Sequence, residues 1–212
     1  MTGAQLKILN TAFLSGYDME DTLFYQLLNM VKNMLESSRD WMLLRSFDNS
    51  ITFSTSDDYT GTKTLPSRFL RVYSPYDANR DEQTGVYIVD SAGNKNPLKP
   101  IKFADRFNYK DTDGYYYLDI KNNKIGRTGT LAGTLHLFFL QGTADIDSSS
   151  EWTFPSYAHP LLAVDVAIMH KGGIDWDTVN ANQVPYNQKI INDIRSRLEI
   201  NDSMQQQNEI GV

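Results

Sequence analysis

The sequence predicts an α+β fold in which the N- and C-terminal helices pack as a small bundle, with an inserted antiparallel β-sandwich or barrel-like domain. Two observations lead to this prediction. Apolar residues recur at three- and four-residue steps near both ends of the chain, whereas the middle alternates apolar with polar residues between Gly, Asn and Asp turns. Helical segments that bracket a run of short strands are typical of α+β proteins.

Helices are predicted over residues 4–14 and from Asp18 to Arg39. The second segment has an apolar face, and Asp18 or Asp21 can cap its first turn. The apolar face comprises Phe24, Leu27, Leu28, Val31, Met34 and Leu35.

Helical spacing returns from Ala158 to Met169, ends at Gly172 and Gly173, and resumes in a last helix that starts near Asp177 or Pro185. The stripe of this last helix comprises Ile190, Ile191, Ile194 and Leu198.

About five or six short strands are predicted between the two helical parts, because apolar residues alternate there between turn signals. The main strand candidates are Ile51 to Phe53, Phe69 to Val72, Val86 to Val89, Tyr115 to Ile120, Lys124 to Arg127 and Thr134 to Gln141. Residues 103–109 are predicted to form a short helix or a turn. The resulting domains are residues 1–45 (helices), 46–145 (β domain), 146–200 (helices) and 201–212 (polar tail), with the helical segments forming one domain.

The composition narrows the possible functions. The 212 residues include no cysteine, which excludes disulfides and cysteine nucleophiles. The net charge of −6, with only 20 Lys and Arg residues, disfavours a sequence-specific DNA reader. The N-terminal residues do not have the pattern of a signal peptide, and no apolar run reaches the roughly 20 residues of a membrane helix. We therefore expect a soluble protein, made in a cytoplasm, without a membrane partner.

No motif predicts a metal, a cofactor or catalysis. His136, His159 and His170 lack the spacing of a metal site, and His159 is expected to be a capping or contact residue. The segment Asp111 to Gly114 resembles the start of a calcium loop, but Asn122 stands where the last ligand is needed, so a hairpin turn is predicted.

Three further groups of residues are predicted to be structural. The glycines at 126, 129 and 133 are expected in turns or bulges, since no Gly-Lys-Ser/Thr follows them. The carboxylate pairs Asp145/Asp147 and Asp175/Asp177 are expected to cap backbone N–H groups. Of the adjacent tyrosines 115–117, alternation allows Tyr115 and Tyr117 to share a face, and we expect one tyrosine in the core and the others in subunit contacts.

Several motifs in series resemble the head-to-tail connector adaptors of tailed double-stranded DNA bacteriophages. In chain order they are an amphipathic helix running into Arg39-Asp40-Trp41-Met42-Leu43-Leu44, then Leu65-Pro66-Ser67-Arg68-Phe69-Leu70-Arg71-Val72, Tyr117-Leu118-Asp119-Ile120 before Asn123-Lys124-Ile125, Gly133-Thr134-Leu135-His136-Leu137-Phe138-Phe139-Leu140, and Trp152-Thr153-Phe154-Pro155-Ser156-Tyr157-Ala158-His159-Pro160-Leu161-Leu162 opening a helix. The match spans roughly residues 20 to 200. The chain departs from the family in a longer, more polar segment from Tyr73 to Asn108.

The resemblance implies a non-enzymatic virion protein at the neck, between the capsid vertex and the tail. Such a protein forms a homo-oligomeric ring, a dodecamer in the family, that binds the portal protein on one side and a downstream tail or nozzle protein on the other. DNA passes through the lumen without sequence recognition.

The polar C-terminal tail is the expected portal-binding segment, because it can order only on a neighbour. Its candidate contact residues are Asn201, Met204, Gln205, Gln206, Gln207, Ile210 and Val212. Deleting residues 201–212 is expected to abolish co-purification with the portal and to leave the circular dichroism spectrum unchanged.

Three alternatives stay open at this point. A stopper or tail-completion protein of the phage neck would also be a ring-forming structural protein. A carbohydrate-binding β module would use the adjacent tyrosines, but it leaves the bracketing helices without a role. A hydrolase that uses an Asp pair ranks last, because no nucleophile, base and orienting residue can be assembled from local motifs.

Overall fold

The computed structural model describes residues 1–14, 16–73, 85–172, 192–193, 196–200 and 202, and it has an α+β fold. The chain divides into two compact units. The helical unit comprises Met1–Leu43 and Gly142–Val212, and the β unit comprises Leu44–Gln141.

The helical unit contains α1 (Gly3–Phe13), α2 (Asp21–Ser37) and α3 (His159–Gly172). These bounds confirm the predicted helices at 4–14, 18–39 and from 158 onward. α3 packs against both α1 and α2. α1 begins in a capping box, in which the Thr2 hydroxyl accepts from the Gln5 N–H and the Gln5 side chain accepts from the Thr2 N–H.

The last predicted helix is only partly described. Residues 192–193, 196–200 and 202 are helical, and Leu198 is buried as its place in the apolar stripe predicts. Ile190, Ile191 and Ile194 of that stripe lie outside the described residues, as do Asp175 and Asp177.

The β unit has ten described strands. They are β1 (Arg45–Asp48), β2 (Thr52–Phe53), β3 (Thr62–Thr64), β4 (Phe69–Val72), β5 (Val86–Val89), β6 (Lys95–Pro97), β7 (Lys99–Ile101), β8 (Tyr115–Asp119), β9 (Lys124–Arg127) and β10 (Gly133–Gln141). Short 3-10 helices occur at Met42–Leu44, Phe103–Phe107, Ile120–Asn122 and Ser156–Ala158. The predicted strands are present. Four others escaped prediction, namely β1, β3, β6 and β7, because these segments of three or four residues carry no clear alternating pattern.

The first sheet is organised around β10. Thr134 pairs with Thr52 of β2 and with Val89 of β5, and Leu140 pairs with Arg45 of β1 and Arg71 of β4. β10 therefore has a partner strand on each side along much of its length. All pairings in this sheet are antiparallel, and β6 extends it beyond β5 through a turn at Gly93, which has a positive φ.

The second sheet has the strand order β3-β9-β8-β7. The hairpin between β8 and β9 turns at Asn123, which adopts a left-handed conformation. β7 pairs with β8 in parallel, so the prediction of a purely antiparallel domain is wrong at this edge. The physical reason is the connection through residues 102–114, which is long enough for the crossover of about a dozen residues that parallel strands need.

Both sheets contribute to one apolar core. Leu135, Leu137 and Phe139 of β10 meet Tyr116 and Ile125 of the second sheet in this cluster. Neither described strand order closes on itself, so the barrel-like alternative is wrong. The sheets stay open because β6 and β3 are short polar strands that end their sheets.

Candidate interaction surfaces

A buried polar network fixes α2 to the chain that returns from the β unit. Lys32 and Glu36 are both fully buried on α2, one helical turn apart. The Lys32 ammonium donates to the carbonyl oxygens of Thr143 and Ala144, at 3.1 and 2.9 Å. The Glu36 carboxylate accepts from the Thr143 N–H at 3.0 Å, from the Thr143 hydroxyl, and from Trp152 Nε1 at 2.8 Å. Every one of these partners satisfies a charge that would otherwise be costly to bury.

This network adds two charged residues to the buried side of α2. Phe24, Leu28 and Val31 of the predicted apolar face are buried, but Met34 is 61% exposed, whereas Lys32 and Glu36 are inside. The two charged side chains can be buried because they find partners in residues 143–152. Sequence periodicity counts apolar residues only, so it had no signal for a buried Lys and Glu.

The motif from Trp152 to Leu162 forms the entrance to α3. Trp152 stacks on Phe154 with ring centroids 4.1 Å apart, and Trp41 meets Phe154 edge-on at 5.5 Å. His159 is buried, and its Nε2 lies 2.7 Å from the Phe154 carbonyl oxygen, which confirms the predicted contact role. These residues place the motif in the core of the helical unit.

Asp202 anchors the last described residues to the corner after α2. It is only 4% exposed, and its carboxylate accepts from the Met42 N–H at 2.7 Å. The other carboxylate oxygen lies 3.1 Å from the Arg39 guanidinium, which in turn lies over the Trp41 ring at 4.8 Å. The predicted tail of residues 201–212 thus includes one buried, structurally engaged residue.

The helical unit has a groove with a mostly apolar lining and an acidic rim, which we call the apolar groove. Its volume is about 390 Å³. It is lined by Val31, Met34, Leu35, Ser38, Trp41, Asp165, Ile168, Met169, Leu198 and Glu199. Asp165 and Glu199 are the only ionisable residues among these lining residues, and both are acidic.

The exposed side of α2 carries no charge beyond its first turn. Its exposed residues after Thr22 are Leu23, Gln26, Met30, Asn33, Met34 and Ser37. Met30 is 44% exposed, and Met34 also lines the apolar groove. Methionine enrichment and charge depletion are typical of protein–protein interfaces.

Within the β unit, Arg127 is a fully buried charge that the sequence did not predict. Its guanidinium donates to the carbonyl oxygens of Ser54 and Asp57, each at 2.9 Å, and to that of Gly129. Burial lowers the pKa of Arg127, and the nearby carboxylates of Asp113 and Asp57 act in the opposite direction. The guanidinium links two loops through backbone carbonyl oxygens. Because every residue has such an oxygen, this contact cannot be recognised in the sequence.

The acidic loop residues Asp113, Asp145 and Asp147 each bind neighbouring groups of the chain. Asp113 accepts from the N–H groups of Thr130 and Leu131, so this carboxylate caps a neighbouring loop. Asp147 accepts from the N–H groups of Ser149 and Ser150, which lower its pKa to about 2, and this confirms the predicted capping. Asp145 lies 3.4 Å from the Lys32 ammonium.

The three glycines are not alike. Gly129 has a φ of 67°, as a turn residue would, and Gly133 begins β10. Gly126 lies within β9, where a Cβ atom would meet the Tyr117 ring at 2.2 Å, so the prediction of a turn or bulge is wrong for this residue. Glycine is needed at this strand position because its lack of a side chain leaves room for the Tyr117 ring.

The adjacent tyrosines do not form a platform. Tyr116 and Tyr117 are both buried, and Tyr117 donates its hydroxyl proton to the Tyr59 carbonyl. The expectation of a single core tyrosine is therefore wrong. Tyr117 is accommodated on the opposite side of the strand from Tyr116 by the absence of a side chain at Gly126. The carbohydrate-binding alternative loses the residues on which it depended.

A different set of rings forms a continuous patch on the first sheet, which we call the aromatic face. Cross-strand partners share a face, and Phe47 pairs with Phe138 while Tyr87 pairs with His136. The ring centroids of Tyr87 and His136 are 4.8 Å apart, and those of Phe47 and Phe138 are 4.9 Å apart. Tyr73 extends the patch, at 6.1 Å from Phe138.

The aromatic face is accessible and has a basic rim. Phe47 is 44% exposed, and the other four rings are partly exposed. Arg45 lies over the Tyr73 ring at 5.2 Å, and Lys95 lies over the Tyr87 ring at 5.6 Å. Alternation of His136 and Phe138 with buried leucines along β10 was the sequence signal that could have revealed this face.

The other two histidines, His136 and His170, stack on tyrosine rings. His136 lies on β10 as predicted, and His170 stacks on Tyr17 with centroids 5.4 Å apart. The portal-binding candidates Asn201, Met204, Gln205, Gln206, Gln207, Ile210 and Val212 all lie outside the described residues.

Across the described part of the chain, no cluster of three or more His, Asp or Glu residues is arranged to hold a metal ion. No helix within the described ranges has the length and hydropathy to cross a bilayer. No protein-family model matches the sequence, and no curated protein matches it significantly.

Proposed function

We propose that this protein is a head-to-tail adaptor subunit of a tailed bacteriophage. In this role, copies of the chain form a ring, dodecameric as in the family it resembles, that joins the portal to the tail and surrounds the DNA path. The protein acts by assembly in the virion neck rather than by catalysis.

The observation that carries the proposal is the order of the family-like motifs along the chain. The corner from Arg39 to Leu44 follows α2, the segment from Leu65 to Val72 leads into β4, and the segment from Trp152 to Leu162 opens α3. Each of these three motifs thus lies where one element of the chain passes into the next. The strand motif from Gly133 to Leu140 lies in β10, the central strand of the first sheet.

The proposal includes a finer architecture, in which the terminal helices form a small bundle with a β-sandwich inserted between them. Support comes from α3, which packs on both N-terminal helices, and from a core cluster shared by two sheets. The boundaries at Leu43 and Gly142 are those of an insertion, since the chain leaves and re-enters one unit.

The distribution of charge suits a ring subunit with two unlike faces. The helical unit contains 7 Lys and Arg residues against 15 Asp and Glu, a net charge of −8. The β unit contains 13 against 11, a net charge of +2. Acidic residues that line a lumen would keep DNA from adhering, and unlike faces allow head-to-tail contacts between copies.

Electron microscopy of the purified chain with and without a portal protein tests the proposal. We expect ring-shaped class averages and co-elution with the portal. A ring that binds isolated tail components but no portal would instead indicate a stopper or tail-completion protein. A monomer that binds neither component would refute the proposal.

The tail hypothesis needs a truncation that begins after Asp202. Because Asp202 is buried against the corner at Met42, deleting residues 201–212 would also remove a structural contact. We expect deletion of residues 203–212 to abolish portal co-purification with an unchanged circular dichroism spectrum. Retained binding would exclude the tail as the portal contact, and Asp202→Ala in the full chain is the matched control for loss of the anchor.

A further inference from the structure

We infer that the aromatic face of one copy docks in the apolar groove of a second copy of this chain. The inference deepens the proposed function, on which it rests, by naming the two surfaces that form the copy-to-copy contact. It follows from surfaces on different units of the same chain that are complementary in hydrophobicity and in charge.

The first step is the apolar match. The aromatic face exposes rings from four strands or strand ends, with Phe47 the most exposed at 44%. The groove exposes Met34 at 61% and Ile168 at 37%, with the adjacent Met30 at 44%. Aromatic rings and methionines are enriched at interface cores, and methionine side chains adapt to irregular partners.

The second step is the charge match. Arg45 and Lys95 border the aromatic face, whereas Asp165 and Glu199 border the groove. The carboxylates of Asp48 and Asp90 remain charged near this sheet, but they are directed toward their own turns, where they accept from the Ser50 N–H at 2.7 Å and from the N–H groups of Ala92 and Asn94. The same polarity holds at the level of the units, which carry net charges of +2 and −8. Opposite charges around an apolar centre favour and orient association.

The third step is symmetry. The two surfaces belong to different parts of the chain, so each copy offers one of each and the contact is heterologous. A heterologous contact repeats from copy to copy and produces a closed ring or an open filament. The same two surfaces could also pair reciprocally in a two-fold dimer, with each aromatic face in the groove of the other copy. Assembly that stops at two copies would reveal that arrangement, whereas a ring requires each copy to contact two neighbours.

Single substitutions on each surface test the inference. We expect Phe47→Glu and Met34→Glu each to weaken self-association by about 30-fold, as loss of an interface centre does. Sedimentation velocity at several concentrations measures the effect, and circular dichroism checks folding. The matched controls are Ile120→Glu in the β unit and Ile8→Glu in the helical unit, which alter side chains that are 63% and 72% exposed away from these surfaces.

Mixing the two variants gives a sharper result. The Phe47→Glu copy keeps its groove and the Met34→Glu copy keeps its aromatic face, so one intact contact can form per pair. We expect the mixture to form a one-to-one heterodimer that grows no further. Separately, we expect the wild type to associate more weakly at higher salt, because salt screens the charges around the contact. Unchanged assembly of either single variant, or no heterodimer in the mixture, would overturn the inference.

The outcomes separate this inference from the proposed function. Rings that bind the portal but resist both substitutions would leave the function standing and reject these surfaces. Copies that assemble through these surfaces without binding any neck component would support the surfaces and reject the proposed function. Binding of a labelled single-stranded DNA oligonucleotide that Phe47→Glu abolishes would assign the aromatic face to base stacking instead, and would overturn the inference.

Discussion

At the scale of single residues, the helical unit depends on two buried charges on α2 that the apolar pattern does not reveal. Lys32 and Glu36 are fully buried, and each is satisfied by groups from residues 143–152. The apolar period predicted the existence and length of α2 well. It could not predict that Lys32 and Glu36 are buried, because their partners are more than 100 residues away along the chain.

Glu36→Ala is expected to destabilise the protein by about 3 kcal/mol, because it leaves buried donors on Thr143 and Trp152 without an acceptor. Urea denaturation followed by tryptophan fluorescence measures the change. The control is Asn33→Ala on the exposed side of the same helix, for which we expect a change within about 0.5 kcal/mol. Equal effects of the two substitutions would show that the network adds little stability.

His136 is expected to make the stability of the β unit depend on pH. Burial, and to a lesser extent the nearby Lys95, lowers the pKa of His136 below its ordinary value of 6.5. The unfolded chain therefore takes up a proton more readily than the folded one. This contribution to stability is complete above the unfolded pKa and is lost as the pH falls below it.

The measurement compares the melting temperatures of wild type and His136→Phe between about pH 7.5 and about pH 5, on either side of the unfolded histidine pKa. Phenylalanine keeps an aromatic ring beside Tyr87 but binds no proton. We expect the variant to gain stability relative to the wild type as the pH falls. A difference that is independent of pH would contradict the assigned cause.

At the scale of elements, the sequence predicted the long and regular segments and missed the short ones. β10 and the three helices have clear periods, and the turns at Gly93 and Asn123 follow from residues that accept positive φ. β3 and β7 exist because longer neighbours supply their hydrogen bonds. The aromatic face went unpredicted because it combines single residues from separate strands.

Asp202 and the buried Leu198 are expected to hold the C-terminal segment in place. Asp202→Ala should lower the free energy of unfolding by about 2 kcal/mol, since the Met42 N–H and the Arg39 guanidinium lose their buried acceptor. Thermal unfolding monitored by circular dichroism measures this. Deletion of residues 203–212 should leave the same curve unchanged. If the deletion is the more damaging change, the anchor lies elsewhere.

At the scale of the whole molecule, two units with their own packing should unfold separately. Calorimetry is expected to show two transitions. Glu36→Ala should lower only the transition of the helical unit. Gly126→Ala, whose new methyl group would collide with the buried Tyr117 ring, should lower only that of the β unit, by about 2 kcal/mol. A single transition that both substitutions shift would show that the units unfold as one.

The interruption of the helical unit by residues 44–141 sets an order of events during synthesis. When α2 leaves the ribosome, the acceptors for Lys32 and the donors for Glu36 have not been made. At roughly 5–20 residues per second, translation of the intervening segment delays them by several seconds. The β unit is complete by Gln141 and can fold first, whereas Lys32 and Glu36 reach their native partners only once residues 143–152 have been made.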